Sequence, residues 1–238
     1  MIIDFHSHIL PSLDDGSASV EESVRLLDIL AQSGTELVVA TPHFYCHEIS
    51  AERFLAARNE SFERLKPHLK PNHPKILLGA EVLFSSELKK LSELKKLAIQ
   101  GTNYLLLEMP YIRLSKQITD SVSELADSGV VKLLIAHVER YLNFTSFEDV
   151  DELMSLDVLG QLNANSFLSF KTKRNCFKLM NKGYIQVLGS DIHHEDRGKP
   201  VSMALDIISK KYGSERVAQF ESSGIKLLND METYEVME

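Results

Sequence analysis

Seven short apolar runs recur along the chain, at residues 2–5, 36–41, 75–80, 104–108, 132–136, 160–162 and 185–189, and each ends in a polar residue able to bind an ion or carry a proton. His6 and His8 follow the first run and His43 the second; Glu81, Glu108, His137 and Asn163 follow the next four, and Asp191 with His193 the last. Between the runs lie segments of helical spacing, at 20–32, 51–66, 87–97, 117–127, 147–154 and 172–181. Gly34, Gly129 and Gly183 sit just past three of them, where a left-handed residue stops a helix. A rhythm of strand, helix, glycine and strand predicts right-handed crossovers and a parallel sheet covered by helices. An open sheet offers only the crevice at its switch point, whereas closure brings every strand end to one mouth. The sequence therefore predicts an α/β fold, a distorted seven-stranded (β/α)7 TIM-like barrel. It forms a single domain over 1–238, with the polar stretch 229–238 expected to fray.

Composition narrows the function. With 44% hydrophobic and 25% charged residues the chain is a folded protein. It holds no apolar stretch near the roughly 18 residues of a membrane span. The first residues lack a basic segment followed by an apolar run, so a cytoplasmic protein without export signal or membrane insertion is expected. Cys46 and Cys176 are too few for a disulfide framework. A net charge of -8 with no long block of consecutive lysines and arginines argues against nucleic acid. The same charge would repel a phosphorylated substrate unless bound cations neutralise some carboxylates.

The His6-x-His8 pair at a strand end puts two imidazoles on one side of the chain, because side chains alternate with period two. Glu81 and Glu108 directly follow Ile76-Leu77-Leu78 and Leu105-Leu106-Leu107, in contexts where an unpartnered buried charge would cost several kcal/mol. A cation would be the partner. His6, His8, His43, His137 and His193 with Asp15, Glu81, Glu108 and Asp191 are too many donors for a single ion, so two or three ions and a bridging carboxylate are expected. Imidazole and carboxylate without thiolate suit Mn2+, Fe2+ or Zn2+. Such a site attracts an anion.

The segments His6-Ser7-His8-Ile9-Leu10-Pro11, Asp14-Asp15-Gly16, Ala40-Thr41-Pro42-His43, Gly79-Ala80-Glu81, Ala136-His137-Val138-Glu139-Arg140-Tyr141 and Ser190-Asp191-Ile192-His193 resemble the polymerase-and-histidinol-phosphatase (PHP) superfamily. Within it they look most like the CpsB/CapC family of bacterial protein-tyrosine phosphatases, over residues 3 to about 228. The resemblance implies a PHP fold, three divalent ions, usually manganese, and hydrolysis of phosphotyrosine on the tail of a tyrosine autokinase that controls capsular or exopolysaccharide biosynthesis. It puts His6, His8, Glu81 and Asp191 on one ion, Glu81, Glu108 and His137 on a second, and Asp15, His43 and His193 on the third. Asp14 and Asp15 share one turn, and one of them is expected to cap the helix beginning near Ala18.

Arg140, three residues after His137, is placed to grip phosphate oxygens and stabilise charge on the leaving oxygen. Arg197 resembles a second phosphate-facing arginine. Phe44 and Tyr45 after His43, with Tyr111 and Ile112 after Glu108, are candidates for a rim around a tyrosine ring and equally for core positions. The rival thiol route needs Cys-x5-Arg; the sixth residue after Cys46 is Glu52 and after Cys176 is Lys182, so neither fits. Hydrolysis by an ion-activated water is expected. A small-molecule phosphoesterase such as histidinol-phosphate phosphatase is the alternative within the superfamily.

Overall fold

The computed structural model describes residues 1–196 and 198–229. Arg197 lies outside the described residues, as does the expected frayed tail 229–238 apart from Asn229, which closes a helix. All strand pairs are parallel. One sheet runs β1 (Ile2–Ser7), β2 (Thr35–Ala40) and β4 (Lys75–Leu78). The other runs β3 (His43–Phe44), β5 (Glu81–Leu83), β6 (Tyr104–Glu108), β7 (Lys132–Ile135), β8 (Val158–Asn163) and β9 (Ile185–Gly189).

Two strand paths are interrupted, which is why the described residues form nine strands where the sequence shows seven runs. Pro42 has no N–H to offer a neighbour and separates β2 from β3. Gly79 and Ala80 separate β4 from β5, yet the two paths stay in register: Gly79 N–H donates to the Ala40 carbonyl at 2.8 Å and Glu81 N–H to that of Pro42 at 3.0 Å. On the far side Ser7 bridges Ile192, and Asp191 N–H donates to the His6 carbonyl at 2.8 Å.

The helices are α1 (Val20–Gln32), α2 (Ala51–Leu65), α3 (Lys116–Asp127), α4 (Val138–Tyr141), α5 (Phe147–Met154), α6 (Phe170–Asn181), α7 (Val201–Tyr212) and α8 (Ser214–Asn229). Gly34, Gly129 and Gly183 have φ of 81°, 67° and 80°, as helix stops require. Ser19 caps α1, its hydroxyl accepting from Glu22 N–H, so neither Asp14 nor Asp15 does. The expected helix at 87–97 forms instead two 3-10 turns, Leu88–Lys90 and Leu94–Leu97. Its leucines recur every third residue, at 88, 91, 94 and 97, which matches three residues per turn and not 3.6. The sequence reading assigned no helix to the segments of α4, α7 and α8. No helix among the described residues is long and apolar enough to cross a membrane.

Alternation along the strands divides the apolar side chains between two faces. Leu105, Leu107, Leu133 and Ile135 pack outward under the helices. Leu106 and Leu134, one residue out of step, join Ile3, Phe5, Leu37, Val39 and Val187 in an inner cluster drawn from both sheets. Helix α8 closes that cluster with Leu227, while Gly224 lets its backbone approach Phe5, where a Cβ would meet the ring at 3.0 Å.

Candidate metal centre

All the strands end on one side, and there the expected donors converge. His6 Nε2 lies 3.0 Å from Glu81 Oε2 and 3.4 Å from Asp191 Oδ1; His8 Nε2 lies 3.2 and 3.4 Å from the same two oxygens. These four residues form one group whose donor atoms all lie within 4.8 Å of one another. A second such group joins His8, Asp15, His43 and His193, with Asp15 Oδ1 3.3 Å from both His43 Nε2 and His193 Nε2. A third joins His43, Glu81 and Glu108. His137 Nε2 reaches Glu81 Oε1 at 2.8 Å and Glu108 Oε1 at 3.6 Å, beside that third group. Glu81 thus stands in two groups and touches four imidazoles.

Local backbone explains the convergence. His6 is on β1, His43 opens β3, Glu81 opens β5 and Glu108 closes β6. His137 and Asp191 follow β7 and β9 with φ of 29° and 52°, and among the described residues only Ser12 is a further non-glycine with positive φ. Such conformations cost about 1–3 kcal/mol each and persist where surrounding contacts fix them. His137 N–H is held by Gln161 Oε1 at 2.7 Å, and Asp191 N–H by the His6 carbonyl.

Electrostatics point to a cation. Glu81 and His6 are fully buried, and burial alone would push the Glu81 carboxyl up; His6, His137 and His43 override it and hold it well below its ordinary value. Asp191 is likewise held low against burial by His6, His8 and Arg140. Glu108 goes the other way, raised by burial and by the neighbouring charge of Glu81. His137 is pushed down to about 4 by burial and by Arg140, so it is neutral near pH 7, the form that ligates. Glu81 Oε2 has no hydrogen-bond partner although His6 Nε2, His8 Nε2 and His43 Nδ1 lie within 3.2 Å of it. Donors packed this closely around an unsatisfied oxygen fit shared ions better than they fit one another.

Residues beside the donors orient them, and sequence reasoning missed most of these. Asp14 is not a spare ligand: its Oδ2 lies 2.7 Å from His8 Nδ1 and accepts His43 N–H at 3.0 Å. Asp15, half exposed, is the one facing His43 and His193. Asn163, which ends β8, binds the cluster through Asp191: its Nδ2 donates to Asp191 Oδ2 at 2.9 Å and its Oδ1 accepts from Gln161. Gln161 Oε1 also lies 3.3 Å from His6 Nδ1. The period-two spacing of Gln161 and Asn163 on one strand was the signal available. Gly16 is fixed in kind, since a Cβ there would lie 2.3 Å from the His8 carbonyl.

Arg140 reaches the pocket, its Nη2 donating to Asp191 Oδ2 and its Nη1 lying 3.3 Å from the Tyr111 hydroxyl. The cleft over the donors holds about 430 Å³ and is lined by Tyr45, Glu108, Tyr111, Arg140 and Asp191 among others. Tyr45 stacks on His43 at 5.5 Å and Tyr111 on His137 at 6.1 Å. Phe44 belongs to the core: it closes β3, is fully buried against Phe54, and points away from the cleft that its neighbours His43 and Tyr45 line. Ile112 is exposed. His194 turns from the cluster to Glu22, 2.7 Å away.

A family model described as "Capsular polysaccharide synthesis, CpsB/CapC" matches residues 2–228. The tyrosine-protein phosphatase CpsB of Streptococcus pneumoniae is 30% identical over 247 residues, covering 96% of this chain and 99% of that protein. The tyrosine-protein phosphatase YwqE of Bacillus subtilis is 26% identical over 224 residues, covering 90% and 86%. Among solved structures, one from a study of YwqE of Bacillus subtilis and CpsB of Streptococcus pneumoniae, called metal-dependent tyrosine phosphatases, aligns with a TM-score of 0.80. It is 23% identical and covers 97% of this chain and 95% of that chain; the likeness shows a shared fold.

Proposed function

The chain belongs to the CpsB/CapC capsular polysaccharide synthesis family, and from that membership and the donor cluster we propose that it is a metal-dependent protein-tyrosine phosphatase. The observation that carries the proposal is Glu81: a fully buried carboxylate, at the start of β5, with an unpartnered oxygen among three imidazole nitrogens. The curated relatives, named tyrosine-protein phosphatases, favour phosphotyrosine over a small substrate such as histidinol phosphate. The substrate is the tyrosine-phosphorylated tail of a bacterial tyrosine autokinase, met in the cytoplasm.

In this reading the two sheets are one distorted seven-stranded barrel, β2 with β3 and β4 with β5 each being one interrupted strand. The shared inner cluster and the bridge from Ser7 to Ile192 support closure. His6, His8, Glu81 and Asp191 would hold one divalent ion; Glu81, Glu108 and His137 a second; Asp15, His43 and His193 a third, with Mn2+ as the first candidate and Fe2+ or Zn2+ also suited. His43 also faces Glu81 through Nδ1, so its two nitrogens look toward different groups. When bound, such ions polarise phosphoryl oxygens and make water nucleophilic at neutral pH.

The chain's own residues do the rest. Arg140 presents its guanidinium at the cleft and exchanges Asp191 for two phosphate oxygens. Asn163 keeps its bond to Asp191 while Arg140 turns outward. Tyr45 and Tyr111 wall the cleft where an aromatic ring enters. Arg197 is proposed as a second phosphate-facing arginine on its sequence resemblance alone. The test is turnover of a phosphotyrosyl peptide against histidinol phosphate at matched Mn2+, with metal content measured on the same sample. A preference for the peptide, abolished by chelation and restored by Mn2+, is the expected result; preference for histidinol phosphate would overturn it.

A further inference from the structure

Helix α6 carries a charged surface that the donor cluster does not use. Lys171, Arg174 and Lys178 recur along it at helical spacing, and with Lys173, Lys211 from the end of α7 and Phe170 they line a groove of about 930 Å³ that no carboxylate lines. In a chain of net charge -8 this is a segregated block of positive charge. Lys171, Lys173 and Arg174 form no ion pair among the described residues. Lys178 and Lys211 are held over aromatic rings, 3.3 Å from the centre of Phe147 and 3.9 Å from that of Phe177. Phe170, at the start of α6, is 84% exposed, an outlay of apolar surface that folding alone does not explain.

The first turn of α6 is tied by hydrogen bonds to the strand end that carries Asn163. β8 ends at Asn163, bonded to Asp191, and the turn after it is tied to α4 by Ser166 Oγ donating to Glu139 at 2.6 Å. Thr172 Oγ1, in the first turn of α6, donates to the Ser166 carbonyl at 2.7 Å. From there the 12-residue helix runs roughly 18 Å across the surface. An extended peptide of about five or six residues spans that length.

We propose that this groove docks an acidic segment of the phosphoprotein substrate, a few residues removed from the phosphotyrosine, with Phe170 packing against an apolar side chain between the acids. The proposal rests on the phosphoprotein reading of the active site. Charge complementarity selects an acidic occupant, and a groove walled by Phe170 and Phe177 suits a polypeptide better than a flat lipid surface.

The test uses the full-length, Mn2+-loaded protein and two phosphotyrosyl peptides, one with a Glu/Asp-rich flank and one with Ser and Gln in its place. The wild type is expected to show a lower KM for the acidic peptide, an advantage that fades with salt. Lys171→Glu with Arg174→Glu should raise KM for the acidic peptide about tenfold, leaving kcat and turnover of p-nitrophenyl phosphate unchanged. Lys171→Arg with Arg174→Lys should restore the low KM. Fluorescence anisotropy of the acidic peptide without its phosphate reads docking apart from catalysis. If the phosphatase reading fails, no substrate turns over while that binding persists. If the docking proposal fails, both peptides turn over with equal KM in wild type and variant, or the variant loses affinity only for phosphatidylglycerol vesicles.

Discussion

Asp14 Oδ2 lies 2.7 Å from Nδ1 of His8 and also accepts the backbone N–H of His43 at 3.0 Å, while its Oδ1 accepts that of Gly16 at 2.9 Å. One carboxylate therefore fixes the ring of one donor and the backbone of another. Its pKa is pulled low by His8 and the two N–H groups even though burial opposes ionisation, so it stays charged and keeps His8 in the Nδ1–H form with Nε2 free to ligate. Asp14→Ala is expected to weaken metal binding about 10–100-fold, the usual effect of removing a carboxylate behind a ligating histidine. Titration of the metal-free variant with Mn2+ measures it, and unchanged affinity would refute the orienting role.

Arg140 contributes no donor to the cluster, so its removal separates metal retention from turnover. Arg140→Ala should keep the wild-type metal content while kcat on p-nitrophenyl phosphate falls about 10²–10³-fold, the range for losing one charge-stabilising donor. His6→Ala is the contrast, losing ions and activity together. An Arg140→Ala protein as active as wild type would remove the arginine from the mechanism.

How far the site was legible before the fold follows from which residues announce themselves. His6, Glu81, Glu108 and His137 each terminate an apolar run, a pattern visible along the chain, and the structure brings them within contact of one another. Asp14 and Gln161 carried no such mark, because an orienting residue is defined by what it touches across the fold; Gln161 and His6 are 155 positions apart. The expectation of an α-helix at 87–97 failed because one step of three fits either helix type, and only its repetition at 88, 91, 94 and 97 marks the 3-10 spacing. The closing helix α8 has only Phe220, Gly224 and Leu227 buried, too sparse a stripe to stand out among its charges.

Gly189 tests whether packing behind the cluster limits it. A Cβ at this position would lie 2.5 Å from His6 Cβ and 2.7 Å from Gln161 Nε2, so Gly189→Ala must displace one or both. Overpacking of this kind costs about 1–3 kcal/mol. The variant should melt several degrees lower and bind Mn2+ more weakly than wild type, whereas Gly213→Ala would strain its own backbone without approaching the donors. Thermal unfolding with and without Mn2+ distinguishes the two; a Gly189→Ala protein with wild-type metal affinity would show that His6 and Gln161 tolerate the shift.

Acidity should act oppositely on the metal-free and metal-loaded protein. Burial works against protonation of His6 and His8, but the carboxylates prevail: Glu81 and Asp191 raise His6 above its ordinary 6.5, and Asp14, Asp191 and Glu81 raise His8 well above it. A base raised on folding contributes stability that is complete below its unfolded value and disappears as pH climbs through the folded one. Metal ligation needs the same nitrogens without protons, so ion and proton compete for Nε2 of both rings. Chelated protein should consequently lose thermal stability as pH climbs above the ordinary imidazole value of 6.5, while Mn2+ affinity grows over the same rise and each binding event releases protons. Melting curves of chelated protein, and calorimetric titrations in two buffers of different protonation enthalpy, measure the two signs. A melting temperature that climbs with pH in chelator, or uptake of metal without proton release, would contradict the assignment of His6 and His8 as shared sites for proton and ion.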